Sequence, residues 1–320
     1  MAPSWCRLGY AARRHLWSWD ATGLPSLDGR VVLVTGGTSG IGRATAVALG
    51  RLGATVGLVG RDGLRLAEAV AEVTTATGHR VWGHPADLAD LPSVRGLAEA
   101  VTGWTDRLDG LVHAAGLLNH HLVVDDDGLE ATAAVHVVGP HLLTALLAPL
   151  LQASAPSRVV WVSSGGMYAR PLDVDHLDHP PTPFRGSTVY AVAKRAQVAL
   201  AREWAGRLAP SAVAAYAMHP GWVDTGALRA GLPLFATLLG PVLRRPDEGA
   251  DTAVWLTSGG ADADVWPAGG GAQGRPPATF WLDRRPRPDH RWPVAADAPG
   301  EVNRLWIWCQ RRAGLDGGDG

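Results

Sequence analysis

The sequence predicts an α/β fold with one doubly wound, mostly parallel seven-stranded sheet and helices on both faces. Short β-branched runs alternate with longer segments of helical period from Arg30 onward, which is typical of βαβ units. A glycine-rich turn separates the first such run from the first helical segment. The length of 320 residues suits a single α/β unit with terminal extensions.

The strand candidates are seven short segments that end near turn residues. They read "RVVLVTG", "ATVGLVG", "HRVWGHPA", "LDGLVHAA", "RVVWVSS", "VAAYAMH" and a weaker "ATFWLD". Helical segments lie between them, and each right-handed crossover places a helix on one face or the other. Two connections, residues 165–186 and 226–246, are long. They would lie at the carboxyl edge of the sheet, so we expect them to cover a substrate site.

We predict one domain over residues 29–286, an N-terminal extension over residues 1–28 and a C-terminal tail over residues 287–320. The chain from Gly259 is rich in Gly, Pro and Ala, including "PAGGGAQGRPP", which indicates irregular structure. A last helical fragment reads "EVNRLWIWCQRRAGL". The extension mixes tryptophans with arginines, which fits an interfacial amphipathic helix touching a membrane. We favour a short helix packed on its own domain, because tryptophans at helical spacing usually face a core.

Charge and cysteine usage exclude several classes of function. The formal net charge is −1 and both signs are mixed along the chain, so no nucleic-acid partner is expected. Cys6 and Cys309 stand at opposite ends, which argues against a disulfide framework or a zinc site and favours a reducing, cytoplasmic location. Even the apolar stretch 135–151 is interrupted by polar residues and turn formers, so no membrane span and no metal site are predicted.

The turn over residues 36–42 has the form of a dinucleotide-binding turn of the Rossmann type. Gly36 permits a tight turn, Gly40 lets the backbone approach a pyrophosphate, and Gly42 allows close packing of the helix. Free N–H groups at the helix N-terminus suit phosphate. An ordinary strand-to-helix turn is the alternative. The other expected contacts of this turn are Thr38, Ser39 and Ile41.

The spacing "TGGTSGIG" resembles the TGxxxGIG signature of the short-chain dehydrogenase/reductase superfamily, over nearly the whole chain. Within it, "RVVWVSSGGM", "TPFRGSTVYAVAKRAQV", "MHPGWVDT" and "EGADTAVWL" are especially similar to the subgroup called dehydrogenase/reductase member 12. The resemblance implies a nicotinamide-dependent oxidoreductase that interconverts an alcohol and a carbonyl. We expect a small apolar substrate.

The end of the second strand indicates which nucleotide is used. Gly60 stands where NAD-preferring members carry an acidic residue, and Arg61 follows. A guanidinium pairs with a 2′-phosphate, so NADP is favoured, with NAD possible. Arg61 as the cap of a surface turn is the alternative. Asp87 and Leu88 resemble the pair that contacts adenine, with a helix N-cap as the competing role of Asp87.

Tyr190 and Lys194 stand four residues apart in "YAVAK", so on a helix they share one face. A phenol is a poor acid–base group at neutral pH, and a nearby ammonium lowers its pKa. Ser164 matches the superfamily serine that holds and polarises the substrate carbonyl, with Ser163 as the fallback. Tyr168 lacks a lysine at the helical spacing and is expected to form a pocket wall.

The segment "HPGWVDTG" resembles the superfamily PG motif. The resemblance implies a turn at Pro220 and Gly221, a backbone contact of Val223 with the nicotinamide carboxamide, and a further contact from Thr225. Any Pro-Gly turn would look the same in isolation, and its place after the sixth strand is what makes it informative.

Two positions depart from the superfamily pattern. The usual "NNAG" reads "HAAG", which keeps Ala115 and Gly116 beside the cofactor but loses the amide side chains. His136 stands where the superfamily has an asparagine that holds a water in the proton relay to the lysine. A histidine that shuttles protons and a histidine without a catalytic role are equally open.

The sequence leaves two alternatives to an oxidoreductase open. A non-catalytic dinucleotide-binding scaffold or sensor is suggested by His136 and "HAAG", and a sugar-nucleotide epimerase ranks last because its relatives have another glycine spacing. The resemblance also implies a homo-oligomer that assembles through the long helices beginning near Gly128 and Thr188.

Overall fold

Buried β-branched runs form the strands of one sheet, as the alternation predicts. The computed structural model describes residues 5–17, 19, 23–261, 280–290 and 296–316. The strands are β1 (Val31–Thr35), β2 (Thr55–Gly60), β3 (Trp82–Pro85), β4 (Gly110–His113), β5 (Ser157–Val162), β6 (Val213–Met218), β7 (Phe280–Leu282) and β8 (Arg285–Pro286). Their order in the sheet is β3-β2-β1-β4-β5-β6-β7-β8. Neighbours from β3 to β7 pair in parallel, so the predicted doubly wound α/β fold is confirmed.

Helices follow the strands as crossovers and cover both faces of the sheet. They are α1 (Arg7–Leu16), α2 (Gly40–Arg51), α3 (Gly63–Thr77), α4 (Leu91–Trp104), α5 (Ala131–Ala153), α6 (Val174–Asp178), α7 (Gly186–Leu208), α8 (Gly226–Gly231), α9 (Pro233–Leu239), α10 (Pro246–Thr257) and α11 (Glu301–Arg312). A π-helical turn, Ala134–Val138, lies inside α5.

Successive residues of β1 face two separate hydrophobic cores, as the period of two in a strand requires. Val31 and Leu33 join the core beneath α4, α5 and α7, whereas Val32 and Val34 join the core beneath α2, α3 and α10. The strand order reverses between β1 and β4, and ligands bind at the carboxyl ends of the strands beside such a point. The fold therefore places a site where β1 and β4 end.

The sheet has eight strands, one more than predicted. β7 and β8 form a short antiparallel hairpin in which Leu282 pairs with Arg285. Its two central residues, Asp283 and Arg284, have φ of 53° and 54°. Hairpin turns with two positive φ values usually contain Asn or Gly, so the sequence carried no signal for this hairpin. The Asp283 side chain is buried in ion pairs with Arg244 and Arg13, which hold the turn.

Both ends of the described chain pack on the central domain. Cys6 and Tyr10 are buried, which agrees with the favoured interpretation of the N-terminal segment as a helix on its own domain. At the other end α11 packs on α5, α6 and α7, and Leu305 and Cys309 are fully buried. The predicted irregular stretch "PAGGGAQGRPP" lies outside the described residues.

One described helix is long and apolar enough to cross a membrane by length and composition. It is α5, with 23 residues, and 72% of its most apolar window is buried inside the protein. A core helix has this pattern, because it packs on the sheet on one side and on neighbouring helices on the other. The face of α5 and α7 that the predicted homo-oligomer would use is partly covered by α11, and the assembly itself stays a prediction.

Candidate active site

A cavity of about 720 Å³ opens at the carboxyl edge of the sheet. Its wall contains residues from the ends of β1, β2, β4 and β5, from α7, and from the segment around α8 and α9. The predicted catalytic and cofactor residues all lie on this wall, namely Gly36, Thr38, Ser39, Gly40, Ile41, Gly42, Arg61, Asp87, Leu88, Ala115, Gly116, Ser164, Tyr190, Lys194, Pro220, Gly221, Val223 and Thr225. One cavity therefore contains every predicted catalytic and cofactor-binding position.

The glycine turn is packed so tightly that side chains have no room. Gly36 has φ of 67°, and a Cβ there would lie 2.6 Å from the backbone of Ala115. A Cβ on Gly42 would lie 2.3 Å from the carbonyl oxygen of Gly36, so α2 packs directly on the turn. Gly40, with φ of 52°, begins α2 and exposes the helix N-terminus to the cavity. Backbone N–H groups and the positive end of a helix dipole suit a pyrophosphate here.

Two arginines follow the end of β2, Arg61 directly and Arg65 in the first turn of α3. Thr38 fills the space above Gly60, where a Cβ would lie 2.3 Å from the Thr38 Cγ2 methyl. Arg61 and Arg65 line the cavity, and neither forms an ion pair with a described residue. Asp62 caps α3 by accepting from the Arg65 backbone N–H at 3.0 Å. The alternative of Arg61 as a turn cap therefore has no support in the contacts.

Asp87 does not cap a helix. Its carboxylate accepts from the backbone N–H of Ala89 at 2.9 Å, and the N-cap position of α4 is Asp90. The competing N-cap interpretation of Asp87 was wrong, because α4 begins one turn later than it requires. Leu88 is buried against α5, where its carbonyl oxygen lies 2.3 Å from the position of a Cβ on Gly139.

Tyr190 and Lys194 lie on the predicted face of α7, one turn apart, and the Tyr190 ring and the Ser164 hydroxyl both lie next to Gly166 on the cavity wall. Ser164 is the last residue before a 3₁₀ turn, and its hydroxyl accepts from the Gly166 N–H at 3.2 Å. Ser163 instead donates to the Lys194 carbonyl oxygen at 2.8 Å and joins β5 to α7. The structure thus places Ser164, rather than the fallback Ser163, beside the tyrosine.

Burial governs the protonation of both groups. It lowers the pKa of Lys194 to about 7, because the buried ammonium has lost its hydration. Burial also raises the pKa of Tyr190, and the hydrogen bond with Ser164 opposes that rise. The expectation that the neighbouring ammonium lowers the tyrosine pKa is therefore outweighed in this structure. Tyr190 is protonated at neutral pH and is suited to donate a proton.

A side-chain amide connects the lysine to the backbone of the π-helical turn. The Lys194 ammonium donates to the Val162 carbonyl oxygen at 2.8 Å and to the Gln197 Oε1 at 3.0 Å. The Gln197 Nε2 donates in turn to the His136 carbonyl oxygen at 3.0 Å. Lys194 is thereby fixed in one position, and none of its partners among the described residues is a carboxylate.

His136 is fully buried and holds the chain after β4. Its Nε2 lies 3.1 Å from the Leu117 N and 2.9 Å from the Leu117 O, and its ring packs edge-on against Tyr190. A Cβ on Gly116 would lie 2.8 Å from the His136 Cε1. Burial and the Lys194 charge keep the pKa of His136 well below its usual value, so the ring is neutral. These contacts favour a structural role over a proton shuttle.

The turn after β6 rests on a buried ion pair. Gly221 has φ of 83°, and a Cβ there would lie 2.3 Å from the Arg244 Nε. Arg244 donates to the Pro220 carbonyl oxygen at 3.0 Å and pairs with Asp283 at 2.7 Å. Thr225 caps α8 by accepting from the Leu228 N–H, and its methyl group lies over Gly40. The turn therefore closes over the glycine turn.

Comparison with known proteins identifies the family of this chain. The profile of a family described as enoyl-(acyl carrier protein) reductase matches residues 36–263. Dehydrogenase/reductase SDR family member 12 of Bos taurus is 38% identical over 282 residues, which cover 87% of this chain and 84% of that protein. The chain belongs to the short-chain dehydrogenase/reductase family. The predicted resemblance is confirmed, and the protein is an oxidoreductase acting on alcohol or carbonyl groups.

Other proteins and solved structures are also similar to this chain over most of its length. Retinol dehydrogenase 14 of Homo sapiens is 34% identical over 252 residues, which cover 72% of this chain and 75% of that protein. The crystal structure of an uncharacterised protein from Mycobacterium paratuberculosis has a TM-score of 0.68 and 26% identity, over 92% of this chain and 97% of that one. The structure of the Pseudomonas aeruginosa RhlG/NADP active-site complex has a TM-score of 0.61 and 28% sequence identity to this chain. The match covers 72% of this chain and 90% of that one.

The structure corrects one expectation about the substrate side of this short-chain dehydrogenase/reductase site. Tyr168 is not among the described residues of the cavity wall. Its ring lies behind Trp5, at 6.0 Å and nearly parallel, and its hydroxyl donates to the Pro288 carbonyl oxygen at 2.7 Å. Of the two long connections, residues 226–246 supply most of the cover, whereas residues 165–186 contribute only their first few residues to the wall.

Four residues of the site were not predicted from the sequence: Trp5, Arg65, Gln197 and Arg244. Gln197 had a usable signal, because it lies at helical spacing from Lys194, and Arg65 is a second arginine close to Arg61 in the chain. Trp5 and Arg244 reach the site through contacts between distant parts of the chain. A local sequence pattern cannot predict such contacts.

Proposed function

We propose that this oxidoreductase interconverts an alcohol and a carbonyl on a small apolar substrate with NADP, through Ser164, Tyr190 and Lys194. The observation that carries the proposal is the placement of Ser164 and Tyr190 side by side next to Gly166 on the cavity wall, with the buried Lys194 ammonium one helical turn away. A carbonyl oxygen placed between the two hydroxyls would receive a hydrogen bond from each. In the direction of reduction, Tyr190 gives its proton to the developing alkoxide.

The nucleotide fits the residues that are present. The crowded glycines leave an open cradle at the N-terminus of α2, and the nicotinamide cofactor would supply the hydride. Residues 36–42 would hold the pyrophosphate, Asp87 and Leu88 the adenine, and residues 220–225 the carboxamide. Lys194 would hydrogen-bond the nicotinamide ribose. Arg61 and Arg65, both free of ion pairs with described residues, support NADP over NAD.

The polarity of the substrate is inferred from the part of the cavity wall formed by the turn after β6 and by α8 and α9. Trp222, Phe235, Leu228 and Leu232 lie there, and these side chains offer no charge to a ligand. An apolar ketone, aldehyde or alcohol therefore matches the wall better than a sugar or an acid.

The test is oxidation of NADPH with a panel of hydrophobic aldehydes and ketones by the wild type and by Tyr190→Phe. Loss of the general acid is expected to lower kcat by roughly 10²- to 10⁴-fold with little change in nucleotide affinity. Ser163→Ala is the matched control, because its hydroxyl bonds to the helix backbone rather than to the cavity centre. Tight nucleotide binding without turnover at any pH would instead establish the scaffold or sensor alternative.

A further inference from the structure

The side chain of Trp5 reaches the centre of the candidate active site. It belongs to the wall of the cavity although it precedes the first strand by some 25 residues. A Cβ on Gly165 would lie 2.8 Å from the Trp5 Cζ3 and 2.8 Å from the His219 Nε2. The indole therefore lies against the backbone of the residue that follows Ser164, and only glycine leaves room for it there.

Trp5 extends an aromatic wall that begins on the cover segment. Its ring meets Trp222 edge-on at 5.9 Å, and Trp222 meets Phe235 in the same way at 5.3 Å. His219 packs edge-on against the other side of the indole at 4.8 Å. Edge-to-face contacts of this kind fix ring orientation as well as burying apolar area.

Three contacts hold Trp5 in this position. The Trp222 N–H donates to the Trp5 carbonyl oxygen at 2.9 Å, which joins the two wall residues through their backbones. Arg7 pairs with Glu248 at 3.2 Å, and the Arg13 Nε donates to the buried Asp283 carboxylate at 2.6 Å. The N-terminal segment is therefore attached to the turn after β6, to α10 and to the β7–β8 hairpin, so the indole forms a fixed surface.

We propose that Trp5 determines the size of the apolar group that the enzyme accepts beside the reacting carbonyl. The inference rests on the proposed function of this cavity. A ketone whose oxygen lies at Ser164 and Tyr190 must direct one substituent along the wall next to Gly165, and the indole occupies that space. The expected substrates are therefore apolar carbonyl compounds whose substituent next to Gly165 and Trp5 is small.

The test compares kcat/KM for cyclohexanone with that for the bicyclic ketone 1-tetralone, with NADPH. Trp5→Ala is expected to raise the ratio of tetralone to cyclohexanone on the order of tenfold, because hydrophobic pockets discriminate single groups by about that factor or more. Trp5→Phe is expected to give an intermediate ratio. Trp17→Ala is the matched control, since Trp17 stacks on Trp19 outside the cavity wall, and its ratio should equal that of the wild type.

A second measurement separates this inference from the proposed function. In a Tyr190→Phe background with NADPH present, each ketone's shift of Tm reports binding without turnover. If Trp5→Ala favours tetralone in this assay while the wild type turns over neither ketone, the wall assignment holds and the proposed function fails. If Trp5→Ala and Trp5→Phe are folded and change neither the kinetic ratio nor the shifts, Trp5 does not contact the substrate and the inference is overturned.

Discussion

Lys194 shows how a single side chain in this site is tuned by its surroundings. Its ammonium has two neutral acceptors, Val162 O and Gln197 Oε1, and no carboxylate, so burial lowers its pKa to about 7. In the unfolded chain its pKa is near 10.5, so the unfolded state binds more protons between these two values. The free energy of unfolding contributed by Lys194 therefore rises with pH from about 7 to 10.5. The buried ammonium therefore costs stability at neutral pH, which fits the role in nucleotide binding that we propose for Lys194.

Removing the Arg61 guanidinium at the end of β2 should weaken the binding of NADP much more than that of NAD. Arg61→Ala is expected to weaken NADP roughly 10- to 100-fold, the equivalent of one charge-assisted hydrogen bond, because no described carboxylate neutralises this cation. NAD lacks the 2′-phosphate, so its Kd should change by less than about threefold. Titration of both nucleotides by calorimetry measures the ratio.

Arg65→Ala is the matched variant for the same titration, because Arg65, in the first turn of α3, lines the same cavity wall. Equal losses for NADP and NAD in Arg61→Ala would contradict the nucleotide preference. A loss confined to Arg65→Ala would transfer the role from the predicted arginine to its neighbour.

Sequence alone located the reacting groups of this site better than the residues that position them. Gly36, Tyr190 and Ser164 belong to motifs whose chemistry requires those residue types at that spacing, and the structure brings them to one cavity. Gln197 and Trp5 carry no such requirement. Gln197 acts through a bond to a backbone carbonyl on another helix, and Trp5 through a distant glycine, so both depend on tertiary geometry.

At the scale of elements, the end of β2 and the β1–α2 turn form one unit. Thr38 and Gly60 are matched, because the Thr38 methyl occupies the place of a side chain at position 60. The absence of an acidic side chain at position 60 is thus a packing feature as well as the basis of the proposed nucleotide preference. The sequence showed the missing acid but not the threonine that replaces it in space.

Gly60→Asp should therefore destabilise the protein by about 1–3 kcal/mol through overpacking against the Thr38 Cγ2. Thr38→Ser removes only that methyl group, and the next atoms of Thr38 lie at an acceptable 3.5 Å from the new Cβ. The double variant should recover most of the loss and prefer NAD. Urea unfolding of the four proteins in this double-mutant cycle measures the coupling. Additive effects would show that the two residues do not meet.

The hairpin of β7 and β8 shows where local pattern fails at this scale. β7 was predicted as a weak strand from its aromatic and β-branched residues, which is confirmed. β8 depends on positive φ at Asp283 and Arg284, neither of which is a usual residue for it. The buried pairing of Asp283 with Arg244 and Arg13 provides the compensation, and those partners are 39 and 270 residues away.

Across the whole molecule, both ends of the chain complete the central domain. The N-terminal segment closes the cavity through Trp5, and α11 covers α5 and α7 through Trp306, which lies against Trp204 and beneath the Arg207 guanidinium at 3.7 Å. The alternation of strands and helices predicted the sheet and its layers, because that pattern is set by burial on two faces. It could not predict where the two ends would pack, because several amphipathic surfaces compete for them.

Three of the four histidines that are fully buried in the described structure, His113, His136 and His141, should make the whole fold sensitive to mild acid. Burial lowers the pKa of His113 to about 3, that of His141 to about 4, and that of His136 well below 6.5. All three are neutral in the folded state and titrate near 6.5 when unfolded. Their contribution to stability is therefore complete above pH 6.5 and is lost as pH falls toward 4, by up to about 1.4 kcal/mol per histidine and pH unit.

The free energy of unfolding in urea at pH 7.5, 6.5, 5.5 and 4.5 tests this expectation, since most carboxylates titrate below that range. His141→Gln keeps a donor for Gln310, whose Oε1 lies 2.8 Å from the His141 Nε2, and should reduce the pH slope by roughly a third because one of the three histidines is gone. His79→Gln, at an exposed position, should leave the slope unchanged. A slope in His141→Gln equal to that of the wild type would show that this buried histidine is not a source of the acid sensitivity.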